Sequence, residues 1–125
     1  MSGKILIVDD SSLARRTLRQ LLEGMDYTVD EATDGTQALE RFFLNPPELV
    51  ILDMVMSGMY GIDVLAKMRE LAPAVRVIIL TSDIQKSTAE QVKAAGAKGI
   101  LNKPVNRQLL ATAIQTILAG GDTWS

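Results

Sequence analysis

The sequence contains no cysteine and no histidine. The first absence excludes disulfides, thiolate zinc sites and thiol nucleophiles. The second excludes a Ser-His-Asp triad, imidazole metal ligands and a phosphohistidine on this chain. Aromatic residues are scarce, at 4%. Neither charge sign dominates: 13 Lys and Arg stand against 15 Asp and Glu, for a net charge of -2. Such a balance offers no basic surface for nucleic acid or an anionic membrane. Long apolar runs are missing too, since each is a handful of residues and a spanning helix needs about 18. Ile5 to Val8 runs straight into two aspartates, too short for the core of an export signal. The expectation is a cytoplasmic protein with no membrane association and no direct nucleic-acid contact, whose chemistry rests on carboxylates, hydroxyls and lysine.

What is present suffices for one folded domain. The 125 residues are 47% hydrophobic and 22% charged, a size and composition that close a single core. The domain is expected to fill residues 1–125, with its core from about 4 to 119 and a frayed tail from 120 to 125. Ile5 to Val8, Leu49 to Leu52 and Val77 to Leu80 are short, branched aliphatic runs, the pattern of strands buried on both faces. Tyr27 to Ala32 alternates and Gly99 to Leu101 is very short, so these two strands lie nearer the sheet edges.

Helical stripes separate the strands. They run through Leu13, Thr17, Leu18, Leu21 and Leu22 after the cap candidates Ser11 and Ser12, and through Ala38, Leu39, Phe42 and Phe43 after Asp34. Ile62, Leu65, Ala66 and Arg69 form a third, Ala89, Val92 and Ala95 a fourth that ends at Gly96, and Leu109 to Leu118 the last. Strand and helix thus alternate five times. Right-handed crossovers turn that order into an α/β, doubly wound, five-stranded parallel sheet with five helices in a three-layer sandwich.

The polar residues fall where such a sheet binds ligands. Asp9 and Asp10 follow the first strand, Asp53 the third, Thr81 the fourth and Lys103 the fifth. All are carboxyl ends, which share one rim. Three converging carboxylates repel, and a cation relieves them. With oxygen ligands alone, Mg²⁺ suits the site, because it accepts few protein ligands and keeps positions for a phosphoryl oxygen. Lys103 and Thr81 add a positive charge and a hydroxyl donor, which a transferring phosphoryl group needs. Asp53 is the candidate nucleophile, since a carboxylate can form an acyl phosphate. Taken singly, Asp9-Asp10 is an ordinary turn and cap, Thr81-Ser82 a helix start and Lys103-Pro104 a surface turn; the conjunction carries the reading.

Ile5-Leu6-Ile7-Val8-Asp9-Asp10, Leu49-Val50-Ile51-Leu52-Asp53-Met54, Gly58-Met59-Tyr60-Gly61, Ile79-Leu80-Thr81-Ser82 and Lys103-Pro104 occur in an order and spacing that resemble the receiver domain of bacterial response regulators. Asp9-Asp10-Ser11-Ser12 with Arg15-Arg16 and Leu21-Leu22 is similar to its stand-alone, chemotaxis-type members. The resemblance covers Lys4 to about Ala119. It implies a flavodoxin-like strand order 2-1-3-4-5 and Asp53 as the phosphorylated residue. It implies Asp9, Asp10 and Asp53 as Mg²⁺ carboxylates, with the main-chain carbonyl of Val55 as a further ligand. It makes Thr81 the switch hydroxyl, Lys103 the phosphate-pairing lysine and the bond before Pro104 cis. A histidine kinase is the implied phosphodonor. A downstream protein would be met through helix four, strand five and helix five. The domain would promote its own phosphorylation and dephosphorylation without being a conventional enzyme.

Three positions depart from the family pattern. Ile100 stands where an aromatic residue usually turns inward as a readout, Ser57 replaces a common proline, and Tyr60 replaces a common aspartate. Val55 cannot hydrogen-bond a hydrolytic water, which predicts slow loss of the phosphoryl group; Asp83 is the nearby polar candidate. Rival readings fit less well: the Asp-x-Asp signature of a haloacid-dehalogenase-like phosphatase is broken by Val55, and a nucleotide-binding domain needs a Gly-rich turn where Asp9-Asp10-Ser11-Ser12 stands. The remaining alternative is a receiver-shaped binding module that never turns over phosphate.

Overall fold

Aliphatic runs without a polar residue are stable only where both faces of a sheet are covered, and the chain folds accordingly. The structure, a computed structural model, describes residues 3–56, 59–82 and 86–124. Strands β1 (Lys4–Val8), β2 (Thr28–Ala32), β3 (Leu49–Asp53), β4 (Val77–Thr81) and β5 (Gly99–Asn102) alternate with helices α1 (Ser12–Glu23), α2 (Gly35–Leu44), α3 (Gly61–Leu71), α4 (Lys86–Ala94) and α5 (Arg107–Leu118). The sheet is parallel, in the order β2-β1-β3-β4-β5. The strand order therefore reverses between β1 and β3, the two strands whose carboxyl ends carry the aspartates.

Alternate side chains of each strand enter opposite cores. Leu6, Val8, Val50, Leu52, Val77 and Ile79 pack with Ala38 and Phe42 of α2, Val64, Leu65 and Met68 of α3, and Val92 of α4. Ile5, Ile7, Leu49, Ile51, Ile78 and Leu80 pack with Leu18 and Leu22 of α1 and with Leu110, Ala113, Ile114 and Ile117 of α5. Every residue of β3 and β4 is buried, whereas β2 and β5 at the edges are partly open. Caps fix the helix starts: the Ser11 hydroxyl accepts from the Ala14 N–H, Asp34 from Gln37 and Asn106 from Leu109. Gly96 has φ of 103° just after α4, the left-handed conformation expected of it.

Three features differ from the sequence reading. Phe43 is 70% exposed although it sits in an apolar stretch, because its neighbour Phe42 occupies the core face and successive helical residues diverge by about 100°. A two-residue antiparallel ribbon, Val55–Met56 with Met59–Tyr60, follows β3. The C-terminal segment is docked, not frayed. Thr123 N–H donates to the Lys98 carbonyl at 2.9 Å, Trp124 Nε1–H donates to the Ala97 carbonyl at 2.9 Å, and Lys93 Nζ lies 5.9 Å from the indole centroid. A tryptophan brings enough apolar surface, and one donor, to order a short segment. Ser57, Gly58 and Asp83 lie outside the described residues.

Candidate functional site

Each polar residue singled out along the chain is held by the end of a strand. Asp9 and Asp10 leave β1, Asp53 closes β3 and Thr81 closes β4, where the register sets Asp53 beside Leu80. Lys103 follows β5; its N–H donates to the Thr81 carbonyl at 2.8 Å, and its bond to Pro104 is cis. Carboxylate oxygens of Asp9, Asp10 and Asp53 lie within 4.8 Å of one another. Lys103 Nζ reaches Asp9 Oδ2 at 2.9 Å and Asp53 Oδ1 at 3.1 Å. Asp53, Met54, Val55, Thr81, Ser82 and Lys103 line one cleft of about 220 Å³. Ile100 lies elsewhere, half-buried against the core beneath α2, α3 and α4.

The electrostatics follow from this crowding. Burial raises the Asp53 carboxyl above its ordinary range and the Asp9 charge pushes the same way, against the hydrogen bond and charge of Lys103. Burial alone would lower the Lys103 ammonium, but its bonds to Asp9 and Asp53 outweigh that effect and raise it. Asp53 of the folded protein therefore keeps its proton to a higher pH than in the unfolded chain. The folded state binds more protons in that interval, so the stability this group allows at acid pH is lost as pH rises through the ordinary carboxylate range toward the raised value. Asp53→Asn should accordingly raise the melting temperature at neutral pH, by about 4 °C for each kcal/mol of relieved repulsion. The advantage should shrink as the pH is lowered. Thermal melts of both proteins across pH 3 to 8 check this, and an advantage independent of pH would contradict it.

The chemistry of the donor set is that of a hard cation site: oxygens only, two of the three carboxylates buried, and a raised Asp53. Asp9 is tied at every polar atom. Its N–H donates to the Ala32 carbonyl at 3.1 Å, and its Oδ1 accepts from Ser11 N–H at 2.9 Å. Lys103 takes Oδ2, and Arg15 Nη1 donates to its main-chain carbonyl at 2.7 Å. The turn-and-cap reading of Asp9-Asp10-Ser11 therefore holds, and the same stretch contributes two of the three clustered carboxylates. The Arg15 contact is new from the structure: its partner is a carbonyl, which has no signature in the sequence.

Comparison with known proteins identifies what this arrangement resembles. The response regulator receiver domain family matches residues 5–115. The chain is 33% identical over 118 residues to the chemotaxis protein CheY of Halobacterium salinarum, covering 94% of this chain and 98% of that protein. It is 33% identical to the transcriptional regulatory protein ResD of Bacillus subtilis over 92% of this chain but 48% of that one, so it spans about half the length of that relative. A crystal structure of a two-component response regulator of the LuxR family from Aurantimonas superposes with a TM-score of 0.92 at 31% identity, covering 98% of this chain and 89% of the other.

Proposed function

Because this chain belongs to the response regulator receiver domain family, we propose that it is a phosphoacceptor of a two-component system, taking a phosphoryl group from a histidine kinase onto Asp53. The observation that carries the reading is the grouping of a buried, charge-destabilised Asp53 with Lys103 at 3.1 Å inside a cluster of three carboxylates. A carboxylate whose charged form is disfavoured and whose repulsion is incompletely relieved is poised to bind a cation and to be modified.

In this reading Asp53 Oδ attacks the donor phosphorus, an oxygen–phosphorus bond forms, and the donor's own bond to phosphorus breaks with its electron pair leaving on the donor nitrogen. Asp9, Asp10, Asp53 and the Val55 carbonyl would hold Mg²⁺, which when bound supplies positive charge for the phosphoryl oxygens. Lys103 gives the phosphoryl group a charged donor and Thr81 a hydroxyl. Movement of Thr81 would then be passed to the surface of α4, β5 and α5, where a downstream protein binds; with Ile100 in place of an aromatic residue, the change travels through the backbone. The protein turns over its own phosphoryl group and is not a conventional enzyme. Among the described residues no helix is long and apolar enough to cross a membrane, which is consistent with action in the cytoplasm.

Incubation with acetyl phosphate and Mg²⁺ tests the reading. Covalent labelling supports it, and a chain that stays unlabelled while remaining folded would instead favour a binding module without phosphate turnover.

Lifetime follows from Val55, which is 61% exposed, lines the cleft and cannot hydrogen-bond a water aimed at the acyl phosphate through its side chain. Val55→Asn should hasten loss of the phosphoryl group about tenfold, the rate equivalent of one modest hydrogen bond in the transition state. Decay of labelled protein after removal of the donor measures it; an unchanged or slower rate would contradict the role given to Val55.

A further inference from the structure

Arg15 stands one helical turn beyond the aspartate pair, and its guanidinium joins two things that differ in kind. Nε meets Glu31 Oε1 of β2 at 3.0 Å, and Nη1 donates to the main-chain carbonyl of Asp9 at 2.7 Å. The side chain is 15% exposed. Glu31 is itself anchored from the other side, since Arg19 Nε meets its Oε2 at 2.6 Å and Arg19 also pairs with Glu23. The two arginines therefore share one carboxylate, but it is Arg15 that bonds Asp9, whereas Arg19 bonds Glu31, Glu23 and the Val29 carbonyl.

The consequence lies in what the other contacts to Asp9 can sustain. Lys103 holds Asp9 Oδ2 and Asp53 Oδ1 at once. Its three N–H donors could reach both and an arriving phosphoryl oxygen, but one positive charge would then be divided among three anionic groups, and none would be served at full strength. Oδ2 is an atom a cation would take. The Arg15 bond goes instead to a main-chain oxygen that neither use requires, and a forked, permanently charged guanidinium loses little freedom in making it. It fixes the peptide that joins Asp9 to Asp10, and so fixes the two carboxylates relative to each other. Resting on the phosphoacceptor reading, we propose that Arg15 is a positioning residue for the cation and phosphoryl site, acting through the Asp9 carbonyl, and not only a link between α1 and β2.

Arg19 provides the control, because a merely structural role would be shared by both arginines. Mg²⁺ affinity is measured by calorimetric titration, and stability by thermal melts, for wild type, Arg15→Ala, Arg15→Lys and Arg19→Ala. Both alanine variants should lose some stability, since each removes one of the two arginines that hold Glu31. Arg15→Ala should bind Mg²⁺ about five- to tenfold more weakly, Arg15→Lys should fall between it and wild type, and Arg19→Ala should stay within about twofold of wild type. The slowing of Asp53 labelling by acetyl phosphate at limiting Mg²⁺ should follow the same order. If Arg15→Ala does not fold, the Arg15→Lys comparison decides alone. Equal Mg²⁺ affinity in wild type and the folded Arg15 variants, or an equal loss in Arg19→Ala, would overturn the proposal. A wild type that bound no Mg²⁺ and took no label would overturn the phosphoacceptor reading and this inference with it, whereas a labelled wild type with indifferent Arg15 variants would overturn only the inference.

Discussion

Lys103→Ala is expected to slow labelling of Asp53 by acetyl phosphate about a hundredfold, the usual cost of removing one donor from developing anionic charge. Lys103 is the ammonium that meets both Asp9 and Asp53, and it lines the cleft in which a phosphoryl group would sit. The same substitution removes the bonds that oppose the raised Asp53 carboxyl. With that cation gone, the carboxylates have more need of another, so Mg²⁺ binding should hold or tighten while labelling collapses. Paired calorimetry and labelling rates measure the split. A parallel loss of Mg²⁺ affinity and labelling would mean that Lys103 shapes the site instead of acting on the phosphoryl group.

Gly61→Ala is expected to cost about 2–3 kcal/mol of stability, read as a lower denaturant midpoint. The Gly61 N–H donates to the Met54 carbonyl at 2.7 Å, bringing the start of α3 against the end of β3. A methyl group there would collide with the Asp53 carbonyl and press on the Met54 Cα at 3.1 Å. These are main-chain atoms of a fully buried strand and its exit, which cannot turn aside as a flexible side chain can. The strain falls on the peptide of Asp53, the proposed acceptor, so the folded fraction of Gly61→Ala should also label more slowly. An alanine variant with wild-type stability would show that α3 approaches β3 less closely than the structure has it.

The rim of the sheet was legible because its signals are local. A branched aliphatic run ended by an aspartate, threonine or lysine says both that a strand is buried and where it stops, which is how Asp9, Asp53, Thr81 and Lys103 could be grouped before any contact was known. The order of strands was not written in periodicity; it came from the resemblance, and the observed β2-β1-β3-β4-β5 sheet agrees. Other features left no such trace. The ribbon of Val55–Met56 with Met59–Tyr60 has two residues a side, too few for a period to show. Trp124 reads as part of a Gly-rich tail until its indole is seen bonded to Ala97. Arg15 enters the sequence reading only beside Arg16 in the family match, because the group it serves is the backbone of Asp9.

Mass mapping of the acetyl-phosphate-treated protein, beside Asp53→Asn treated alike, tests the central claim most directly. The account predicts a single acid-stable, base-labile phosphate on the peptide containing Asp53, dependent on Mg²⁺ and absent from the variant. The same phosphate on Asp53→Asn, or a label on another residue of the wild type, would contradict it.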